Sequence, residues 1–285
     1  MRKILVAGST GQLGKCVLRE LNGRRYAVRA LARDAGRMAG LEVDGVVIAD
    51  LTKPETLRGA CDGVDAVISC AGAAMSFNRF GDRRSFYEVD YRGNLNLLGE
   101  AKKAGVKKFV YVSLSSADKL RQTEYADAHE KFVDELRSSS LDHTVVRPTG
   151  FFGIHLEILK FASKGRGLVI GSGDCRTNPI HEADVAAACV EALEKVDDEL
   201  IVGGPDVFTR RETVELAFTV LNRQPSLVSV PPWAFKLMIN PLKLINRRIH
   251  ALMDFGVAVS QIDVMAPKFG SQRLSDYFGV AAKEL

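Results

Sequence analysis

Over roughly the first 150 residues, short apolar runs alternate with longer stretches in which apolar residues recur every three or four positions. Lys3-Ile4-Leu5-Val6-Ala7 is the first run, and it passes through three glycines into a stretch with helical spacing at 15–21. Runs at 26–32, 45–50, 65–72, 108–113 and 142–147 read as further strands, the last stopped by Pro148. Between them fall a short helix at 53–61 with Pro54 at its start, a long helix at 85–104 closed by Gly105, and a helix at 125–138. Apolar runs of this kind suit strands buried on both faces, and their alternation with helices predicts a parallel sheet covered on both sides. Such sheets bind ligands at the carboxyl ends of their strands. Gly8, Arg33, Asp50, Cys70 and Ser113 all fall at strand ends, so one cleft can collect them.

Beyond residue 150 the pattern loosens. Helical stretches are expected at 154–163, 182–195 and 211–222, with a glycine-rich turn and strand at 165–173 and a strand ending near 201–205. The expected fold class is therefore α/β, a Rossmann-type doubly wound parallel sheet with a smaller C-terminal region. The expected division is a dinucleotide-binding domain at 1–150 and a smaller substrate-side region at 151–285, interleaved with the sheet. No internal repeat or low-complexity tract is present.

The turn after the first strand reads Gly8-Ser9-Thr10-Gly11-Gln12-Leu13-Gly14. Glycines at this spacing allow a tight strand-to-helix turn, let backbone N–H groups approach a pyrophosphate, and leave room for the helix to pack on the strand. A glycine triplet alone is a weak signal. Between the first strand and the first helix it points to dinucleotide binding. The second run ends in Arg33-Asp34. An acidic residue at this place binds the ribose 2′-OH of NAD, whereas the guanidinium of Arg33 suits the 2′-phosphate of NADP(H). Lys15 and Arg37 add positive charge nearby. NADP(H) is the expected cofactor, with Asp34 on the ribose as the alternative.

Composition narrows the class further. A hydrophobic fraction of 46% provides for a buried core, and 39 basic against 35 acidic residues leave a formal charge of +4 with no long basic stripe, which gives no case for nucleic acid. The five cysteines, Cys16, Cys61, Cys70, Cys175 and Cys189, are scattered and lack CxxC spacing, which argues against a metal site and for reduced thiols in a cytoplasmic setting. No run reaches membrane-spanning length. Residues 231–248, Pro231-Pro232-Trp233 through Arg247-Arg248, are apolar with basic punctuation. Such a stretch can touch a membrane surface peripherally or cover a lipophilic substrate; equally, it can be a helix packed on the core or on a second subunit of a homodimer.

Taken together, Gly8/Gly11/Gly14, Asp50-Leu51, Asp90-Tyr91-Arg92-Gly93-Asn94, Tyr111-Val112-Ser113-Leu114-Ser115, Val146-Arg147-Pro148-Thr149-Gly150 and Asn178-Pro179-Ile180-His181 resemble the short-chain dehydrogenase/reductase superfamily. The nearest likeness is to its atypical and extended branch, which includes NmrA-like proteins. The resemblance implies that Asp50 and Leu51 flank the adenine, and that Cys70, Ala71 and Gly72 line the adenosine ribose and pyrophosphate side. It sets Ser113, Pro148 and Thr149 near the nicotinamide.

The superfamily's chemistry uses a Tyr as general acid/base, a Lys four residues on, and an upstream Ser that orients the carbonyl. The resemblance carries the Tyr role to Tyr125, and His129 fills the Lys position on the same helical face. Lys131 is the alternative cation, six residues away on another side of the helix. Ser115 best matches the upstream Ser, with Ser113 and Ser116 as competitors. His181 and Asp184 invite a dyad reading, or a structural one at a helix start. The expected function is an NADP(H)-dependent oxidoreductase reducing a carbonyl or activated double bond of a small apolar metabolite. A non-catalytic NADP(H)-binding regulator or assembly factor is the alternative, and a sugar-nucleotide epimerase or dehydratase is third.

Overall fold

The structure, a computed structural model, describes residues 1–24, 26–73 and 84–285. β1 (Arg2–Ala7) leads through the glycine turn into α1 (Gln12–Asn22), and β2 (Tyr26–Ala32), β3 (Gly45–Ile48) and β4 (Ala66–Ser69) follow. The chain continues through α2 (Asn94–Lys103), β5 (Lys108–Val112), α3 (Glu124–Arg137) and β6 (Asp142–Pro148). Then come α4 (Phe152–Ser163), β7 (Gly167–Ile170), β8 (Arg176–Thr177), α5 (Glu182–Glu191) and β9 (Glu199–Val202).

Seven strands form one sheet in the order β3-β2-β1-β4-β5-β6-β9, and every pairing is parallel. The winding reverses between β1 and β4, so a crevice opens there at the strands' carboxyl ends. Strand β9 comes from beyond residue 150, and the sheet is completed by the C-terminal part of the chain. Ile4 to Ala7 of β1 have no exposed surface, because helices cover both faces. On one face Val17, Leu18 and Leu21 of α1 meet Val185, Cys189 and Val190 of α5. On the other, Leu97, Leu98 and Ala101 of α2 meet Phe132, Val133 and Leu136 of α3. Each large aliphatic or aromatic side chain so buried contributes about 1.5–3 kcal/mol.

The remaining elements are β10 (Phe208–Thr209), α6 (Arg210–Val220), β11 (Leu227–Val230), α7 (Pro232–Ile239), α8 (Leu242–Ile245), α9 (Arg247–Val259) and α10 (Leu274–Ala281). Phe152, Leu159, Phe218 and Phe278 unite α4, α6 and α10 in a separate core. Helix α9 sets Ala251 and Leu252 against Phe86 and Ala128, so that it borders the carboxyl-end crevice. Segment 231–248 divides its residues between two surfaces. Phe235 and Ile239 are buried, whereas Trp233, Leu237, Met238, Leu244 and Ile245 are exposed. Among the described residues no helix is long and apolar enough to cross a membrane.

Three local expectations change. The helix expected at 53–61 is a single 3-10 turn, Pro54–Leu57, ended before Gly59 at φ +74. The helix expected at 85–104 opens as a wide π-helical segment, Tyr87–Gly93, before α2 begins. Its backbone is pinned to the end of β4. Asn94 Nδ2 donates to Asp90 O at 2.8 Å and Ala71 O at 3.1 Å, and Ser69 Oγ donates to Asn94 Oδ1 at 2.5 Å. Widened turns of this type occur often at functional sites, and here it delivers Asp90 to the crevice. Pro148 belongs to β6 rather than lying beyond it: it is the strand's last residue and pairs with Val202 of β9, so its missing N–H falls where the ladder ends.

Candidate functional site

A cleft of about 940 Å³ runs along the carboxyl ends of the strands and on between α4, α6, α7 and α9. All the residues predicted to bind cofactor or act in catalysis line it except Ser9. The Ser9 side chain is wholly buried beneath the turn, where Oγ donates to Leu31 O at 2.8 Å and stitches β1's end to β2.

The glycine turn is built to bring backbone close to a ligand. Gly8 has φ +77, and a Cβ there would stand 2.7 Å from the carbonyl group of Cys70. A Cβ on Gly14 would lie 2.1 Å from Gly8 O, so only glycine lets α1 sit this near the strand. Gly11 N donates to Gly8 O at 3.0 Å and closes the turn. Gly11 is the N-cap of α1 and supplies no capping side chain, and the first turn holds no acidic residue. The helix therefore presents N–H groups and the positive end of its dipole to the cleft, the arrangement that receives a pyrophosphate.

At the end of β2 the two readings separate. Asp34 Oδ1 accepts from Gly36 N at 2.9 Å and caps a short 3-10 turn, and its carboxylate does not line the cleft. Arg33 and Arg37 line it, with Arg84 across from them, 3.5 Å from Asp50 Oδ2. Lys15 does not. Burial pushes the Asp50 carboxyl up, but bonds from the Thr52 N–H and hydroxyl, together with Arg84 and Arg33, outweigh it and hold the group below its ordinary range. Sequence reasoning missed Arg84, which no strand-end rule would select.

Tyr125, Ser115 and His129 all line the cleft. Ser115 N donates to Pro148 O at 2.9 Å, which fixes the loop after β5 against the end of β6. Ser113 is occupied elsewhere. Its hydroxyl donates to Glu130 at 3.0 Å, inside a buried network in which Arg147 grips Glu130 with two bonds of 2.7 and 3.0 Å. Thr149 Oγ1 likewise serves the backbone, donating to Asn178 O at 2.6 Å. Tyr125 is wedged edge-on between Phe86, His129 and Phe255, with ring centroids 5.0, 4.7 and 4.7 Å away. Burial pushes its phenol well above the ordinary range, and the nearby Asp90 charge pushes the same way.

His129 turns both ring nitrogens toward groups other than Tyr125. Its Nδ1 is 2.6 Å from the Tyr111 hydroxyl, and its Nε2 lies 3.2 Å from Asp90 Oδ1, off the line of a hydrogen bond. Burial, then the Asp90 charge, pushes the Tyr111 phenol well above its ordinary range, so an uncharged hydroxyl faces Nδ1. Asp90 also accepts from Ala73 N at 3.1 Å. Lys131, the alternative cation, is exposed and pairs with Asp127 at 3.0 Å on another side of α3. His181 and Asp184 line no part of the cleft. His181 caps α5 through Ala183 N, and Asp184 accepts from Ser271 and Gln272, so both fasten the approach to α10.

A model for a family described as NAD(P)H-binding covers residues 8–196 of this chain. The chain belongs to this NAD(P)H-binding family. It lies in the atypical branch of the short-chain dehydrogenase/reductase superfamily, and its cofactor is a nicotinamide dinucleotide. The chain is 30% identical to the chloroplastic divinyl chlorophyllide a 8-vinyl-reductase of Arabidopsis thaliana, over 99% of this chain and 77% of that one. It is 34% identical to photosystem II assembly factor Ycf39 of Synechocystis over 52% of this chain and 45% of that one. In fold it is similar to the NADPH-dependent quinone oxidoreductase QOR2 of Escherichia coli, solved with NADPH, at a TM-score of 0.78 and 20% identity over 98% of this chain and 99% of that one.

Proposed function

We propose that the protein is an NADPH-dependent reductase acting on a carbonyl or activated carbon–carbon double bond of a small, largely apolar molecule. The observation that carries this reading is the continuity of one cleft, from Arg33 past the glycine turn to Tyr125 and into an apolar chamber. Arg33, Arg37 and Arg84 offer positive charge for a 2′-phosphate, while Asp34 is committed to its cap. NADPH, when bound, supplies a hydride.

The chain's own residues supply the rest. The turn at Gly8, Gly11 and Gly14 holds the pyrophosphate against the α1 N-terminus. Leu51, Cys70, Ala71 and Gly72 bound the adenosine side, and Pro148 and Thr149 bound the nicotinamide side. Ser115 orients the group being reduced. Tyr125, whose phenol is pushed well above its ordinary range by burial, is the general acid that donates a proton to the group being reduced. His129 acts as a positioning residue, held by Tyr111 and Asp90 with its ring against Tyr125. The Arabidopsis relative, named for reducing a vinyl group, supports the double-bond version of this reading.

A second reading is favoured by His129 in place of lysine and by the Synechocystis relative: a non-catalytic NADPH-binding assembly factor. On either reading, the exposed apolar face of α7 and α8 beside Lys236 and Lys243 supports a contact with a membrane surface or a second subunit. NADPH consumption with a panel of quinones, enones and vinyl-bearing rings separates the readings. The reductase reading expects turnover that Tyr125→Phe lowers about a hundredfold or more, with nucleotide affinity within about threefold of wild type. No turnover with any substrate, combined with partner capture that differs between NADP+ and NADPH, supports the second.

A further inference from the structure

Far from Arg33, the cleft ends in a chamber lined by Ile170, Phe235, Met253, Phe255, Val259 and Val264. Two polar groups face this apolar space with unmet bonding capacity. Arg210 opens α6 and lines the chamber; its Nη2 donates to Val259 O at 3.0 Å, but its Nε is buried and has no partner. No carboxylate pairs with it among the described residues. Asp263, whose charge reaches it, is held by Arg176 through bonds of 3.1 and 3.3 Å. Thr177 is 1% exposed, lines the same chamber, and its Oγ1 is likewise unpartnered. Strand pairing sets Thr177 opposite Phe208, two residues before Arg210, so both groups belong to one corner.

A half-buried cation that no carboxylate bonds directly and a buried hydroxyl without a partner are each costly, and native proteins rarely keep both without use. Nearby His155 offers no counter-charge. Its Nδ1 donates to Phe151 O at 2.8 Å, and burial, opposed by that bond but aided by the Arg210 charge, brings its imidazole down to about 4, so it is neutral at pH 7. A single guanidinium in apolar walls suits a monoanion whose oxygens fit its planar fork.

We propose that Arg210 and Thr177 form a specificity subsite that binds the carboxylate of an apolar acid, with the acid's hydrocarbon body against Phe235 and Phe255. This rests on the reading of the cleft as a site shared by nucleotide and substrate, and it adds the substrate's anchoring group.

The test is calorimetric titration of 2-naphthoate and its methyl ester into the full chain, with and without NADP+, alongside an NADPH titration of the same samples. The acid should bind at least about tenfold more tightly than the ester, as expected for a charge-assisted bond. Arg210→Gln should abolish that preference, and Arg210→Lys should retain part of it. Thr177→Val should weaken the acid about threefold while leaving the unfolding midpoint unchanged or raised, since it removes a hydroxyl that bonds nothing in the free protein. Equal binding of acid and ester, binding of neither, or an acid preference that survives Arg210→Gln overturns the proposal. So does a Thr177→Val protein that is destabilised yet binds the acid normally. Failure of the wild type to bind NADPH refutes the cofactor reading instead, because acid-over-ester preference is also read without nucleotide.

Discussion

Replacing Gly14 with alanine tests the physical basis of the nucleotide site. The added Cβ would lie 2.1 Å from Gly8 O and 2.8 Å from both Gly8 C and Ser9 Cα, all of them backbone atoms with no rotamer to yield. Restoring ordinary van der Waals separation requires α1 to retreat by more than about 1 Å from the turn. Val17, Leu18 and Leu21 tie the helix to the sheet, so the retreat strains the core and costs about 1–3 kcal/mol. It also withdraws the N–H groups that face the pyrophosphate. Losing the equivalent of two such bonds predicts roughly a hundredfold weaker NADPH binding. Gly99 is the control, in mid-α2 with nothing within 4 Å of its would-be Cβ. Gly99→Ala should stabilise the protein by about 0.5–1 kcal/mol and leave binding alone. Urea unfolding and a fluorescence titration of each variant give both numbers. A folded Gly14→Ala protein that binds NADPH within about threefold of wild type would refute the argument.

Two further expectations concern stability. His155 has a folded pKa of about 4 against 6.5 unfolded, so its contribution is complete above pH 6.5 and is lost as pH falls from 6.5 toward 4. The loss approaches about 3 kcal/mol, measurable as a falling urea midpoint that His155→Gln flattens. Arg147→Met strands the buried carboxylate of Glu130 and should cost about 3–5 kcal/mol by the same assay, with Arg147→Met/Glu130→Gln recovering much of it.

The parallel sheet was readable because its strands are apolar on both faces: β2 spans the predicted 26–32 without a shift. The glycine turn was readable because it sits where steric rules leave no other residue. Three parts were not readable, each because it depends on contacts distant in sequence. The π-helical segment arises from Asn94 and Asp90 gripping the end of β4, and no helical period announces that. Ser9 lies within the motif, yet its hydroxyl turns inward to Leu31, a direction that only the pairing of β1 with β2 decides. Arg210 and Thr177 are brought to the chamber by a two-residue strand pair, too short to leave a pattern. His129 was located by spacing, but its partners Tyr111 and Asp90 come from other elements, and they determine what it can do.

The central claim is that this cleft takes NADPH through Arg33. Titrating wild type and Arg33→Ala with NADPH and with NADH tests it most directly. The account predicts tighter binding of NADPH by the wild type, a loss of roughly tenfold or more for NADPH in Arg33→Ala, and little change for NADH. Equal losses for both nucleotides, or a wild-type preference for NADH, would contradict it.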